Sequence, residues 1–428
     1  MNKQKNEYSV VERCLQGVLL GYPILLLTVK GAMSASFLIL IVLSAILIIR
    51  TARSGAALYS DSNSVLFGLS MGATIISLSL SQVYHWAINM PAYDSPARLL
   101  FSILIFLALR EINFQLIGKI QFGFLVGALL IGASIFLSSQ GVGATTYYLI
   151  HIHLGDLALM LGLLSIFSLN WDRKDSATLV VLKVCGLLAG LYVSLLTGAR
   201  GGWAAIPVII LAMILISSES KKSIMTRLAI SMSVMLLVAV LAYFSLEVVH
   251  LRMDAAISDL RSVDSDTSLG VRFQLWGAAT HLFMLNPIFG VGSEGFILAM
   301  DGLADSGMIT AAAAEIGKGE VHSYYFATLA KFGSVGIISL LLLFFGPLWL
   351  FIKAYKSQYQ FHRVAARMGI ILVLGYVTFC VTVEMFNLKM VSTFYGVTVA
   401  ILLAAATNRT VGAIPSQPMK GKFNDKSS

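Results

Sequence analysis

The run AMSASFLILIVLSAILII, residues 32–49, holds eighteen consecutive residues without a charge. An α-helix rises 1.5 Å per residue, so this run would form a helix about 27 Å long, close to the thickness of the hydrocarbon core of a bilayer. Arg50 and Arg53 follow it directly, as is common where a helix leaves the membrane on the cytoplasmic side. The run therefore predicts a transmembrane helix.

Similar apolar runs recur along almost the whole chain and predict an all-α, polytopic membrane protein. Of the 428 residues, 57% are hydrophobic and 12% are charged, whereas about 25% of the residues of a soluble domain are charged. No long linker rich in Pro, Gly or Ser separates the runs, so residues 1–428 are predicted to form a single membrane domain. About twelve transmembrane helices are predicted, at residues 14–29, 32–49, 64–81, 97–109, 122–138, 149–168, 177–197, 202–217, 227–246, 334–352, 366–383 and 391–406.

The formal net charge of +9 does not point to a nucleic acid, because the basic residues stand at the ends of the predicted spans, where membrane lipids are their neighbours. If the N-terminus is cytoplasmic, two thirds of the 30 Lys and Arg fall in cytoplasmic segments, as the positive-inside rule requires. An even number of spans then places both termini in the cytoplasm, and residues 408–428 form a short basic cytoplasmic tail.

The one large loop, residues 247–333, is predicted on the outer face. From Glu247 to Glu320 it has ten acidic and four basic residues, and a long loop in a chain of short connections usually carries function. Its predicted helices are amphipathic at 247–263 and interfacial at 271–285, the latter being too short to span. In the first of them, Arg252 and Arg261 fall on opposite faces and are expected to pair with the nearby acids.

Two other arginines are candidates for binding an anion. Arg200 stands in TGARGGW, Thr197 to Trp203, at the outer junction of two spans. Gly201 and Gly202 allow a close approach of the backbone, and a helix N-terminus beside a guanidinium suits a phosphate. Arg272 stands in the predicted first turn of the interfacial helix. The structural alternatives are an arginine that extends to the lipid headgroups at position 200 and a surface arginine at position 272.

His322 is the candidate for proton transfer. The apolar stretch from His322 to Tyr355 is far longer than one span, so residues 322–332 are predicted to form a short helix at the outer surface, with a break at Gly333 and Gly336. A neutral imidazole there can accept a proton near pH 7. The glycine-rich segment NPIFGVGSEGF, residues 286–296, which includes Gly292, is predicted to be a tight turn that returns the loop to the membrane, or else a backbone cradle for phosphate.

Charged residues within the spans have a functional and a structural interpretation. Asp156 is predicted one or two turns below the outer surface, and Glu384 and Lys389 are predicted to pair with each other. These residues either line a reaction cavity or form satisfied structural pairs. The three cysteines lack metal-ligand or disulfide spacing, and Asp264 and Asp266 stand in a polar turn, so neither a metal nor a cofactor is predicted.

The motifs, in this order, resemble the O-antigen ligase and polymerase superfamily of bacterial membrane glycosyltransferases. The resemblance covers most of the chain: about twelve spans, a large late outer loop, the Arg motif at 197–203, the Arg-x-x-x-Trp and Asn-Pro-x-x-Gly-x-Gly patterns at 272–276 and 286–292, and the His motif at 322–336. Ser323 stands where many members carry Asn.

The resemblance implies an O-antigen ligase of the bacterial inner membrane, with its active site facing the periplasm. It implies an inverting, metal-independent transfer of a glycan from undecaprenyl pyrophosphate to lipid A–core oligosaccharide. Arg200 and Arg272 would hold the pyrophosphate, and His322 would activate or orient the acceptor hydroxyl. The supporting residues would be Gly201, Gly292, Ser323, Tyr325, Asp156 and Glu384.

Three alternatives stay open. An O-antigen polymerase would use the same donor with a second lipid-linked glycan as its acceptor. A protein O-oligosaccharyltransferase would modify Ser or Thr, although such chains often carry a soluble C-terminal domain. A flippase or another transporter of lipid-linked glycans would more usually show internal repeats and charges deep within several spans.

Overall fold

The computed structural model describes residues 10–53, 61–141, 143–217, 221–245, 247–261 and 266–411. Within them the chain forms eighteen α-helices and two short 3-10 helices, at Met90–Tyr93 and Met385–Asn387. The α-helices are α1 Val10–Leu25, α2 Ala32–Arg53, α3 Ser62–Tyr84, α4 Asp94–Leu109, α5 Phe114–Gly118, α6 Ile120–Leu137, α7 His151–Phe167, α8 Ala177–Thr197, α9 Arg200–Trp203, α10 Ala205–Ser217, α11 Lys221–Ser245, α12 Glu247–Arg261, α13 Ser268–Leu285, α14 Gly292–Asp305, α15 Ala311–Gly319, α16 Tyr324–Tyr355, α17 Gln360–Phe379 and α18 Lys389–Ala406.

The all-α membrane fold predicted from the apolar runs is confirmed. Each of the twelve predicted spans coincides with a helix, and nine helices of the described residues are long and apolar enough to cross a membrane. The count of twelve stays a prediction, because α7 and the α9–α10 segment are apolar but shorter than a full span, and α1 carries Glu12 and Arg13 near its start.

The spans pack closely where small residues allow two backbones to meet. A β-carbon at Gly190 of α8 would lie 2.5 Å from the carbonyl oxygen of Ala158 on α7, and one at Gly162 would lie 3.1 Å from the carbonyl oxygen of Gly186. Because lipid tails are as apolar as the side chains, such close van der Waals contact is the main force that associates helices in a membrane. Helix α18 is almost wholly buried at the centre of the bundle, whereas the apolar span of α11 has no buried residue.

One end of the bundle, named the loop end here, is where α3, α8 and α17 finish and α4, α7, α16 and α18 begin. Helices α13, α14 and α15 pack there around a small core of their own. The core consists of Val271, Leu275, Ala278, Ala279, Leu282, Phe296, Met300, Leu303, Ile309, Ala313, Ala314, Val321, Ala327 and Ala330. The last two belong to α16, so the layer is anchored on the first part of that helix.

The helices of the loop differ in detail from the predictions. The predicted amphipathic helix is α12, but Met253 and Ile257 of its apolar face are each 45% exposed; the side chains of Arg252 and Arg261 lie outside the described part of the chain. The interfacial helix α13 begins at Ser268, three residues before the predicted start, because the hydroxyl of Thr267 accepts a hydrogen bond from the backbone of Gly270 at 3.1 Å.

Helix α16 breaks at Gly333, as predicted. The φ of Gly333 is +61° and its ψ is −151°, a conformation that only glycine adopts at little cost. The segment at Asn286–Phe296 is a tight turn that docks on this break. The backbone N–H of Ser334 donates to the carbonyl of Pro287 at 2.8 Å, and that of Val291 donates to the carbonyl of Ala330 at 2.8 Å. The turn therefore fixes the helical layer to the bundle.

Candidate functional site

The TGARGGW motif forms the junction between α8 and α10. Helix α8 ends at Gly198, which has a φ of +67°, and α9 begins with the backbone of Arg200. A β-carbon at Gly201 would collide with the hydroxyl of Thr382, and one at Gly202 would collide with the carboxylate of Asp156. Glycines at these two positions thus let α9 lie against both α7 and the end of α17. The side chain of Arg200 is outside the described part of the structure.

Asp156 lies in the second turn of α7 beneath this motif. It is 1% exposed, and neither carboxylate oxygen has a hydrogen-bond partner among the groups that the structure describes. An unpaired buried carboxyl group is costly. Of the two interpretations given to Asp156, a satisfied structural pair is not observed within the described residues, and the position beside Gly202 ties Asp156 to the arginine motif.

Arg272 meets the TGARGGW motif in one cavity of about 110 Å³ at the loop end. The cavity combines the start of α7, the α8–α9 turn, the start of α13 and the end of α17. Its lining residues are His151, Ile152, Gly198, Ala199, Gly201, Ser268, Arg272 and Thr382. Two motifs that are about seventy residues apart in the sequence are thereby brought together. Because α13 begins at Ser268, Arg272 lies in its second turn rather than in the predicted first turn.

His322 lies in the segment that leads into α16, close enough to Arg272 for the charge of that arginine to act on its ring. Its φ is +57°, a left-handed conformation that is unusual for a residue with a β-carbon. Nδ1 of its ring is buried without a hydrogen-bond partner in the described residues, and the nearest carboxylate oxygen, that of Glu320, is 3.8 Å away. The histidine thus combines an unusual backbone conformation with a ring that lies beside an acidic side chain.

The surroundings of His322 favour its neutral form. Burial lowers the pKa of His322 below its ordinary value, and the positive charge of Arg272 lowers it further, while the charge of Glu384 acts in the opposite direction. Burial raises the pKa of Glu320, and the charges of Lys331 and Arg272 oppose that rise. The electrostatic effect of Arg272 on both groups shows that Arg272, Glu320 and His322 share one neighbourhood.

Ser323 and Tyr325 hold the histidine segment on α17. The backbone N–H of Tyr324 donates to the carbonyl of Cys380 at 2.9 Å, and the buried hydroxyl of Ser323 donates to the same carbonyl at 3.5 Å. The hydroxyl of Tyr325 donates to the carbonyl of Val377 at 2.8 Å. Ser323 and Tyr325 therefore support the position of His322 instead of lining the cavity with Arg272.

Glu384 is a buried junction of the site, 2% exposed. Its carboxylate accepts hydrogen bonds from the backbone N–H of Val321 at 2.6 Å, from Nζ of Lys331 at 3.1 Å and from the amide of Asn387 at 2.6 Å. Its own backbone N–H donates to the carboxylate of Glu320 at 2.8 Å. Glu384 thus ties the histidine segment to the connection between α17 and α18.

The predicted pair of Glu384 with Lys389 is wrong. Glu384 pairs with Lys331 on the first part of α16, and Lys389 pairs with Asp94 at the start of α4. The 3-10 turn Met385–Asn387 separates the two residues along the chain, and each finds a different partner. Sequence analysis assigned no role to Glu320; its only signal was an acidic residue two positions before the histidine.

Gly292 is not brought into the cavity with Arg272. Its φ is +76°, and a β-carbon there would lie 3.2 Å from the ring of His85 at the end of α3. Nε2 of His85 is in turn 2.9 Å from the carbonyl of Gly290. The glycine-rich segment therefore serves as a docking turn in this structure. Asp264 lies outside the described residues, and the hydroxyl of Thr310 donates a hydrogen bond to Asp266.

The chain is similar to known proteins over the region that contains these motifs. Residues 185–341 match the family model described as O-antigen ligase, a range that contains the arginine motif, Arg272 and His322. Over 294 residues the chain is 28% identical to a protein of Haemophilus influenzae described as an uncharacterized protein, and the alignment covers 66% of this chain and 72% of that protein. The family match supports an integral membrane enzyme of the ligase and polymerase type, with a glycosyltransferase-like activity related to lipopolysaccharide. Through this region, the chain is similar to the O-antigen ligase family.

Proposed function

We propose that the chain is an O-antigen ligase that transfers a glycan from undecaprenyl pyrophosphate to lipid A–core oligosaccharide. The observation that carries the proposal is the meeting of the two arginine motifs in one cavity beside His322. A pyrophosphate ester needs positive charge where its leaving oxygen becomes anionic, and a hydroxyl acceptor needs a base that takes its proton. In this proposal, the arginine motifs supply the positive charge at the loop end and His322 is the base.

The proposed reaction is a single displacement. Nε2 of His322 takes the proton of the acceptor hydroxyl while the acceptor oxygen forms a bond to the anomeric carbon of the glycan. The bond from that carbon to the pyrophosphate oxygen breaks, and its electron pair leaves with undecaprenyl pyrophosphate. Attack opposite to the leaving group inverts the anomeric configuration.

Arg272 and Arg200 hold the pyrophosphate in this proposal. A guanidinium offers a planar set of donors that matches phosphate oxygens, and the TGARGGW motif reaches the same cavity as Arg272. The carboxylate of Glu320 accepts a hydrogen bond from the Nδ1–H of His322 and stabilises the charged ring, as a carboxylate does in a catalytic triad, and the proton stays on the ring. No step requires a metal ion or a cofactor.

The active site is proposed to face the periplasm, with both termini in the cytoplasm. Helix α16 begins at the loop end and finishes near Lys353 and Lys356, and α2 finishes with Arg50 and Arg53. If the basic ends of these spans lie in the cytoplasm, the loop end faces outwards. This orientation fits a bacterial inner membrane and a donor that is already translocated.

The test is transfer by the purified protein, reconstituted in liposomes with a donor glycan on undecaprenyl pyrophosphate. Lipid A–core and a second lipid-linked glycan are offered as separate acceptors, with and without a chelator. The His322→Ala variant is compared with His281→Ala, which changes an exposed histidine of α13. Ligation to lipid A–core that survives chelation, persists in His281→Ala and is lost in His322→Ala supports the proposal.

Two results would contradict it. Extension of the lipid-linked glycan without ligation to lipid A–core would identify a polymerase, which uses the same donor. Movement of the lipid-linked glycan across the bilayer, with no transfer to either acceptor, would identify a transporter.

A further inference from the structure

A second cavity, of about 210 Å³, lies at the loop end between α3, α4 and α16. It shares no lining residue with the cavity of Arg272. Thr382 lines the Arg272 cavity and Glu384 lines the second cavity, while Val383 between them is fully buried. The two cavities therefore lie on either side of the short segment 382–384, and Glu384 connects the second cavity to the segment of His322 through the N–H of Val321.

The wall of the second cavity is polar and electrically balanced. Lys331 pairs with Glu384, and Lys389 pairs with Asp94; all four line the cavity. Two positive and two negative groups leave no net charge for a phosphate to neutralise. They do present both donors and acceptors, and a sugar hydroxyl uses both, because it donates one hydrogen bond and accepts others.

The part of the cavity wall formed by α3 and the middle of α16 also carries polar groups, which are hydroxyls. The hydroxyl of Ser77 on α3 donates to that of Ser339 on α16 at 3.1 Å. The buried hydroxyl of Thr74 has no hydrogen-bond partner within the described residues, and it lines the same cavity. A buried polar atom without a partner is costly, so this wall is suited to a ligand that brings hydroxyl groups.

Two aromatic rings complete the wall. Tyr324 and Phe386 both line the cavity, and their ring centroids are 5.2 Å apart. Aromatic faces beside a few polar side chains are common in ligand pockets, where the rings supply contact area and the polar groups fix orientation. Tyr324 is also two residues from His322, so a sugar in this cavity would lie near the proposed base.

We infer that the cavity between α3, α4 and α16 binds the acceptor oligosaccharide through the hydroxyls of a neutral sugar ring. The inference rests on the proposed function, in which the pyrophosphate of the donor occupies the separate cavity of Arg272. The acceptor then approaches His322 from the side of Glu384, and the donor approaches from the side of Thr382. The two substrates meet at His322 without sharing a pocket.

The variant Ala92→Phe tests this inference because Ala92 is half-buried and lines the cavity. A phenyl ring there would occupy space that the sugar needs. Ala312→Phe is the matched control, since Ala312 is exposed on α15 and is not part of this wall. Lys389→Gln is a second, milder variant: the Lys389 side chain is 60% exposed, and the loss of an exposed ion pair has little effect on folding.

The measurement is transfer kinetics in liposomes, with the acceptor varied at saturating donor and the donor varied at saturating acceptor. Ala92→Phe should raise the KM for the acceptor by about ten-fold or more, a loss of roughly one contact of ordinary strength, and leave the KM for the donor unchanged. Lys389→Gln should raise the KM for the acceptor by a smaller factor, and Ala312→Phe should change neither the KM for the acceptor nor the KM for the donor. A rise in the KM for the donor, or no change in that for the acceptor, would overturn the inference.

Binding of delipidated lipid A–core oligosaccharide to the detergent-solubilised protein separates the inference from the proposed function. Loss of binding in Ala92→Phe but not in Ala312→Phe supports the pocket even if no transfer is detected. Normal transfer by the wild type, together with unaltered binding in Ala92→Phe, rejects the pocket and leaves the proposed function intact.

Discussion

Glu320 and Glu384 bind each other's chain segments. The carboxylate of Glu320 accepts a hydrogen bond from the backbone N–H of Glu384 at 2.8 Å, and the carboxylate of Glu384 accepts one from the backbone N–H of Val321 at 2.6 Å. The segment just before His322 is therefore tied twice to the connection between α17 and α18. This reciprocal arrangement fixes His322 relative to the end of α17, where the arginine motif also packs.

Replacing Glu384 should destabilise the loop end strongly. Glu384→Ala leaves Lys331 as an unpaired, largely buried charge and removes the partner of Val321, and breaking such a pair from one side costs about 3–5 kcal/mol. Glu384→Gln keeps the shape and some of the hydrogen bonds, so it should cost less. The melting temperatures of the detergent-solubilised proteins should therefore fall in the order wild type, Glu384→Gln, Glu384→Ala. Equal melting temperatures for Glu384→Ala and the wild type would contradict it.

Two substitutions of His322 should differ in stability but lose activity alike. At a φ of +57°, a residue with a β-carbon is strained by roughly 1–2 kcal/mol, whereas glycine is not. His322→Gly should therefore unfold at a higher temperature than His322→Ala, although both lack the imidazole. Both variants should lose about two to four orders of magnitude of transfer rate. A more stable Ala variant would show that the backbone is not strained here.

The pH dependence of transfer should reflect the lowered pKa of His322. The neutral imidazole is the base, so kcat/KM should rise with pH through the pKa of the free enzyme and then level off. Because burial and Arg272 lower that pKa, the rise should lie below about pH 6.5, the ordinary value for histidine. The Arg272→Gln variant lacks one nearby positive charge, so the pKa of His322 should increase. The rise of its residual kcat/KM should therefore move to higher pH. A shift to lower pH would contradict the assigned interaction.

Glycines of the arginine motif should tolerate no side chain. Gly201→Ala places a methyl group against the hydroxyl of Thr382, and Gly202→Ala places one against Asp156; overpacking of this kind costs about 1–3 kcal/mol and moves α9. Transfer activity should fall in both variants. The control is Gly277→Ala in α13, where a β-carbon meets nothing within 4 Å. It should keep full activity, and an equal loss in all three variants would point to a general effect.

The break in α16 should depend on glycine as well. A β-carbon at Gly333 would lie 2.5 Å from the carbonyl oxygen of Ile288, in addition to the strain of its positive φ. Gly333→Ala should loosen the turn at 286–291 from α16 and expose its amides to hydrogen exchange. Gly302→Ala on α14, with open space around it, should leave that exchange unchanged. Unaltered protection in Gly333→Ala would show that the turn does not need this close contact.

The sequence predicted the positions of the spans well, because an apolar run of about 18 residues has few alternatives to crossing a bilayer. The break at Gly333 was also predicted, since the run was too long for one span. The pairing of Glu384 was predicted wrongly. Proximity along the chain suggested Lys389, whereas the turn at Met385–Asn387 directs that lysine to Asp94. Which partner a charged residue meets depends on tertiary packing.

The candidate site was predictable in its parts but not in its assembly. The motifs at Thr197–Trp203, Arg272 and His322 were identified from residue types, and the resemblance to the family is confirmed. The meeting of the first two in one cavity required the packing of α7, α13 and α17. Glu320 was not identified, because an acid in an acidic loop gives no signal of its own. The roles assigned to Arg200, Arg272 and His322 remain predictions for the experiments above.

Backbone hydrogen bonds contribute to the attachment of the helical layer to the bundle. Three backbone hydrogen bonds join residues 287–291 to residues 330–335, from Ser334 to Pro287, from Val335 to Ile288 and from Val291 to Ala330. Apart from the glycines that allow this approach, such bonds place no demand on side-chain identity. Residues on the outer surfaces of α14 and α15 can therefore change without breaking these three bonds.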